Sequence, residues 1–161
     1  MAITDKLTAI ANAIRSKTGI TDTMTLDEMS NAIKNIQTGM VTSDNRCATI
    51  PDYLFFGCTN LSLTELPSGV TSIGIGAFGH CTSLALTELP SGVTSIGARA
   101  FENCTNIHSL TFKGTPNAIS KNAFFGCTNL TTINVPWAEG AVENAPWGAT
   151  NATINYNYVA V

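Results

Sequence analysis

The chain has 161 residues, 44% of them hydrophobic, which is enough for one folded core and excludes an intrinsically disordered protein. Charged residues make up only 12% and the net charge is −3, so neither nucleic acid nor an anionic membrane is expected as a partner. No apolar stretch approaches the roughly 18 residues of a membrane span, and no signal-peptide pattern is visible. We therefore expect synthesis in the cytoplasm without a secretion signal.

Residues 1–39 predict a helical hairpin. The first helix has apolar residues at helical spacing, which is also heptad spacing: Ile3, Leu7, Ile10 and Ile14. Thr25 and Glu28 form a capping box before the second helix, which ends at Gly39. The hairpin is either a cap for the repeats that follow or an assembly module. Heptad spacing favours a homotrimer, whereas so short an amphipathic helix commonly packs within its own chain.

From residue 40 to residue 136 the sequence repeats with a period of 23, the separation of Cys58 from Cys81. Every unit has an isoleucine, a phenylalanine, a cysteine and a further aliphatic residue at fixed positions. The four columns are Ile50, Ile73, Ile96, Ile119; Phe55, Phe78, Phe101, Phe124; Cys58, Cys81, Cys104, Cys127; and Leu61, Leu84, Ile107, Leu130. Self-similarity at this period is typical of a solenoid, in which each unit buries its apolar face by stacking on its neighbours.

Each unit contains signals for four short elements. A strand ends in ELP or an equivalent, and the proline stops its hydrogen-bonding ladder. The segment SGVTSIG predicts a turn and a second extended stretch, and GAFGHC, RAFENC and NAFFGC predict one helical turn. The predicted fold class is therefore an α/β repeat solenoid, with a helical hairpin at its N-terminus and a β cap at residues 137–161.

The columns resemble the bacterial leucine-rich repeats of the BspA-like class, whose units run IGxxAFxxCxxL and then reach an IP strand end. The clearest matches are residues 73–81 (IGIGAFGHC) and 96–104 (IGARAFENC). The resemblance implies a parallel, slightly curved leucine-rich solenoid.

One position departs from this pattern. The family usually has an aliphatic residue six positions after the cysteine, where this chain has Thr64 and Thr87 in the first two units. Leu63 and Leu86 stand one position earlier. A slip of one residue turns a strand side chain to the other face. Either a local bulge keeps both leucines inside, or they form an exposed apolar pair and a candidate contact patch.

The cysteines and histidines offer little chemistry. An odd count of five cysteines, four in one column, predicts buried thiols rather than disulfides. His80 adjoins Cys81 and His108 follows Cys104, but the cysteine column faces the core, so no nucleophile pair is expected. Metal-ligand spacings are absent, and the GIGAFG glycines precede no crossover helix. We expect no enzyme activity, metal or cofactor.

The tail at residues 137–161 admits two interpretations. Its aromatic residues are Trp137, Trp147, Tyr156 and Tyr158. They either cap the last open repeat or form a carbohydrate-stacking surface, because aromatic faces suit sugar rings.

The N-terminal segment LTAIANAIRSKTGITDTMTLDEMSNAIKNI resembles one on phage and prophage tail proteins of Gram-positive hosts. The resemblance implies virion association through residues 3–36, with the solenoid facing a protein or glycan on a bacterial surface. The alternative is a bacterial cell-surface adhesin that binds host protein or glycan. For either, the candidate surface comprises Leu63, Glu65, Leu86, Glu88, Thr111, Asn134 and the four tail aromatics.

Overall fold

The computed structural model describes residues 48–159, so the predicted hairpin and Cys47 lie outside the described residues. The described chain forms short parallel strands joined by turns. The strands are β1 (Ala48–Ile50), β2 (Val70–Ile73), β3 (Glu88–Leu89), β4 (Ser95–Ile96), β5 (Ser109–Phe112), β6 (Ala118–Ile119), β7 (Thr132–Asn134) and β8 (Thr153–Asn155).

The strands form two four-stranded sheets, with orders β1-β2-β4-β6 and β3-β5-β7-β8. Within each sheet the pairing is parallel and mostly joins positions one sequence period apart, as in Ser72 with Ser95 and Ile96 with Ile119. Because the offset equals the sequence period, each repeat is one turn of the chain and each sequence column becomes a row of side chains. The predicted repeat solenoid is confirmed.

The segment around each AFxxC motif is a series of turns, not the predicted helical turn. In the first repeat, the N–H groups of Phe56 and Cys58 donate to carbonyls three residues back. The intervening N–H groups donate to the next repeat: Tyr53 to Ile75 (2.8 Å), Phe55 to Ala77 (2.8 Å) and Gly57 to Gly79 (2.6 Å). An α-helix needs consecutive N–H groups for its own carbonyls. The α part of the predicted class is therefore wrong for residues 48–159, which contain strands and turns.

The repeated columns fill the interior. Phe101 is stacked between Phe78 and Phe124, with ring centroids 5.4 and 5.1 Å apart and planes inclined by 7° and 3°. All three rings are fully buried. Parallel strands lie about 4.8 Å apart, so identical side chains one repeat apart are brought to nearly the spacing of stacked rings.

The displaced leucines are inside. Leu63 and Leu86 are 7% and 1% exposed, whereas Thr64 and Thr87 are exposed. The backbone accommodates the slip because the regular strand starts late: β3 has two residues and β5 has four. The N–H and the Oγ1 of Thr87 both donate to the Thr64 carbonyl, at 3.1 and 3.2 Å, which joins the two irregular stretches. An exposed apolar pair is therefore wrong.

The tail forms a last, shorter turn. Trp147 is fully buried, and its carbonyl accepts the Phe124 N–H at 2.9 Å, as the Ala123 carbonyl does for Phe101 in the repeat before. Trp137 packs against Phe112 and Trp147, with ring centroids at 5.3 and 6.3 Å. In the β7–β8 pair, Thr132 lies opposite Thr153, an offset slightly smaller than the repeat period. Both indoles thus pack on Phe112, whose ring lies edge-on to Phe124 with centroids 6.5 Å apart.

The contribution of the phenylalanine stack to the free energy of unfolding can be tested by substitution. Phe101→Ala is expected to destabilise the chain by about 3–5 kcal/mol, because it opens a cavity between two buried rings. Phe125→Ala is the matched control, since that ring is 54% exposed, and its expected effect is below about 1 kcal/mol. Urea unfolding of the two variants measures both values. Equal losses would show that the stack contributes no more than a surface ring.

Candidate functional site

Polar side chains form a row along the outer side of the second sheet. This row, here called the strand face, consists of Glu65, Glu88, Thr111, Asn134 and Asn155. The strand register places the last four side by side, and Glu65 pairs with Glu88 through a single bridge. The first four were predicted from the sequence. Asn155 does not follow from the period of 23, because the last turn is two residues shorter than the repeat.

Hydrogen bonds join the side chains at one end of the strand face. The Nδ2 of Asn134 donates to Thr111 Oγ1 at 3.2 Å, and the Nδ2 of Asn155 donates to Asn134 Oδ1 at 2.8 Å. Asn134 is only 9% exposed. It therefore fixes the orientation of its two neighbours and presents little surface of its own to a partner.

The other end of the strand face is acidic. Glu65 is exposed, and Glu88 Oε2 lies 2.9 Å from the Nζ of Lys113, with both of these side chains more than two-fifths exposed. An exposed ion pair of this kind contributes about 0–1 kcal/mol. Exchanging Lys113 for another basic group beside Glu88 would therefore cost little free energy. The side chains at this end are less fixed than those at the Asn134 end.

Besides Asn134, four more of the predicted site residues are buried. Leu63 and Leu86 lie in the core, where their apolar side chains are removed from water. Trp137 and Trp147 are 5% and 0% exposed, so neither indole has a face open to a sugar ring. This corrects the aromatic surface proposed for the tail: Tyr156 is partly buried against the core, and Tyr158 is 39% exposed. A binding role for the exposed residues stays a prediction.

A second surface was not identified from the sequence. The outward side chains of the AFxxC segments form what is here called the turn face: Tyr53, Phe56, His80, Arg99, Glu102 and Asn103. The sequence signal for it lies in columns that hold glycine in some repeats and a larger residue in others, as at Tyr53, Gly76 and Arg99.

The thiols are held in the core. The described cysteines are buried and carry no disulfide. Three of them donate to phenylalanine carbonyls of the preceding repeat: Cys81 to Phe55 (2.9 Å), Cys104 to Phe78 (3.0 Å) and Cys127 to Phe101 (2.9 Å). Burial raises the pKa of Cys104 well above its ordinary value and that of Cys127 to about 12. Because the nucleophile is the thiolate, these two thiols are chemically inert at neutral pH.

The histidines do not complete a catalytic pair. The ring of His80 packs against Phe56 with centroids 5.1 Å apart, on the outside of the chain, whereas the Sγ of Cys81 points inward. His108 is exposed, and its Nδ1 lies 3.0 Å from the Asn106 carbonyl. Among residues 48–159 no group of three or more His, Cys, Asp or Glu side chains is placed to hold a metal. That part of the chain also contains no helix long and apolar enough to cross a membrane.

The raised thiol pKa predicts a pH dependence. A group whose pKa is higher in the folded chain stabilises it fully below the unfolded pKa, and this stabilisation is lost as pH rises toward the folded value. For Cys127 the window runs from 9.0 to about 12. At about pH 10, ionisation of the Cys127 thiol in the unfolded chain lowers the free energy of unfolding by about 1.4 kcal/mol. Cys127→Ser keeps a donor for the Phe101 carbonyl and does not titrate, so its unfolding free energy should fall less steeply between about pH 8 and 10 than that of the parent. Parallel curves in urea unfolding would contradict the assignment.

Parallel turns of one repeat each, with leucine, isoleucine, phenylalanine and cysteine columns inside and a polar strand row outside, define a leucine-rich repeat scaffold. The chain belongs to the BspA-type leucine-rich repeat family, whose model matches residues 48–142 in six copies.

Two solved structures are similar to the chain. A leucine-rich repeat protein from Bacteroides ovatus ATCC 8483 matches with 32% identity and a TM-score of 0.60, over 67% of this chain and 28% of that protein. A leucine-rich repeat protein of T. pallidum matches with 24% identity and a TM-score of 0.43, over 68% of this chain and 63% of that one. The chain therefore spans little more than a quarter of the Bacteroides protein. No curated protein matches the chain.

Proposed function

We propose that this chain is a non-enzymatic recognition scaffold, and that its strand face binds a protein or glycan on a cell surface. One observation carries the proposal: polar side chains lie side by side across consecutive repeats, while their apolar neighbours Leu110 and Phe112 point into the core. Such a row is held by the backbone ladder beneath it, so a partner meets side chains whose backbone is already ordered.

The chemistry of the described residues supports binding rather than catalysis. An enzyme needs titratable or nucleophilic groups that converge on one point. Here the thiols are buried, the two histidines lie on different outer positions, and Glu88 is engaged with Lys113. We accordingly assign no cofactor to the proposed function.

Two settings suit such a scaffold. In the first, the chain is part of a phage or prophage tail and contacts the bacterial host, and the resemblance of residues 3–36 to virion-associated segments supports it. In the second, it is a bacterial surface adhesin, which is compatible with the similarity to the Bacteroides protein. Both settings use the same strand face but require different targets.

Charge reversal tests the strand face. Glu65→Lys with Glu88→Lys should lower binding of the fluorescently labelled chain at least about tenfold, because the two changes replace the acidic end that a partner meets. Binding is measured on washed Gram-positive cells and on host extracellular-matrix protein. Glu139→Lys with Glu143→Lys changes the net charge equally at exposed tail positions and should leave binding unchanged. Equal losses in both pairs would show a net-charge effect and reject the strand face.

The two settings also differ in the expected solution mass. Static light scattering of the full chain, beside a chain that starts at Val41, measures it at several concentrations. In the virion setting we expect a trimer that becomes a monomer on truncation. A monomeric full chain, with a truncated form that unfolds or aggregates, would make residues 1–39 a cap and remove this support for the virion setting.

A further inference from the structure

Four residues of the turn face hold a left-handed backbone. Their φ angles are 56° at Tyr53, 60° at His80, 55° at Arg99 and 55° at Asn103. Other repeats have glycine at the equivalent positions, with φ angles of 57° at Gly76, 66° at Gly57 and 74° at Gly126. A residue with a Cβ is disfavoured in this region and glycine is not, most clearly for residues as large as tyrosine and arginine. Four side chains are thus kept where glycine folds more easily, and backbone strain of this kind concentrates at functional sites.

These side chains form one continuous surface across three repeats. The rings of Tyr53 and Phe56 are edge to face with centroids 5.8 Å apart, and Phe56 packs in the same way on His80 at 5.1 Å. The Nε2 of His80 lies 3.5 Å from Asn103 Nδ2 and 3.8 Å from Glu102 Oε2. The aromatic part of the turn face therefore lies directly beside a part made of planar polar groups.

The rings are held in place by the repeat beside them. A Cβ on Gly76 would lie 2.6 Å from Tyr53 Cε1, and a Cβ on Gly79 would lie 2.7 Å from Phe56 Cδ2. Only glycine allows the two rings to approach the backbone so closely. Tyr53 nevertheless remains 55% exposed. One part of the ring is fixed on the protein while another part is open to a ligand.

In the polar half of the turn face, the positive charge of Arg99 is offset by the negative charge of Glu102. Arg99 lies 3.5 Å from Glu102, whose side chain is only 12% exposed, while the side chains of Arg99 and His80 are 60% and 45% exposed. A neutral ligand therefore suits the surface better than an anion. The guanidinium of Arg99 donates to the hydroxyl groups of such a ligand, and the imidazole of His80 and the amide of Asn103 can both donate to them and accept from them.

From this arrangement we propose that the turn face binds a neutral glycan. The apolar face of one sugar ring rests on the exposed part of Tyr53, beside the half-buried Phe56, and its hydroxyl groups bond to His80, Asn103 and Arg99. Exposed aromatic rings beside a few oriented polar groups are what a ligand with an apolar face and a polar edge requires. The site is separate from the strand face and does not depend on it.

The experiment uses the full chain on an array of immobilised neutral oligosaccharides, with sialylated oligosaccharides and proline-rich peptides beside them. The best neutral oligosaccharide is then titrated by calorimetry. Tyr53→Gly adopts the glycine of the equivalent position and should weaken binding at least tenfold, with a melting temperature within about 3 °C of the parent. Asn144→Gly is the matched control, because Asn144 is also left-handed (φ 68°) but lies in the tail, and it should bind as the parent does.

A second measurement applies even where Tyr53→Gly lowers the melting temperature. In aromatic heteronuclear NMR spectra of the parent, the oligosaccharide should shift the ring signals of Tyr53 and His80 and leave those of Trp147 unchanged. The glycan site is rejected by an array on which no neutral oligosaccharide binds, by preference for the sialylated or peptide probes, or by unchanged affinity in Tyr53→Gly. Glu65→Lys with Glu88→Lys should leave oligosaccharide affinity unchanged, so failure of the strand face and failure of this site are distinguishable.

Discussion

The structure depends on hydrogen bonding between one repeat and the next. A single repeat has too little apolar surface to enclose a core, and its strands of two to four residues have no partner within the same repeat. Even in the turn segments, alternate N–H groups donate to the neighbouring repeat. Secondary structure and packing therefore form together, and neither exists in an isolated repeat.

This dependence separates inside from outside in a simple way. Positions whose side chains stack on copies of themselves favour one residue type, as with the phenylalanine and cysteine columns. Outward positions carry no such requirement, and they vary from Glu65 to Asn134 along one face and from Tyr53 to Arg99 along the other. The variation gives each repeat a different outer chemistry on an unchanged interior, which is how repeat proteins present extended binding surfaces.

The interior was predictable from the sequence because the sequence period equals the offset between paired residues of neighbouring repeats. The column residues and the burial of the cysteines followed from spacing alone. The helical turn was predicted wrongly, since local propensity cannot show that Tyr53 and Phe55 donate their N–H groups to another repeat. The candidate site was predicted only in part. Trp137 and Trp147 carry no periodic signal, so their burial depends on where the last turn places them.

The two glycines beneath the rings of Tyr53 and Phe56 also specify the order of the repeats. Residues 63–74 and 86–97 are identical in sequence, so these stretches alone cannot distinguish a correct neighbour from one displaced by a whole repeat. Gly76 and Gly79 leave room for the two rings, whereas the third repeat has Arg99 and Glu102 at those positions, with Cβ atoms that would collide. The outer residues thereby distinguish repeats whose core residues are alike. Without them, a repeat would be able to pair with the wrong neighbouring repeat.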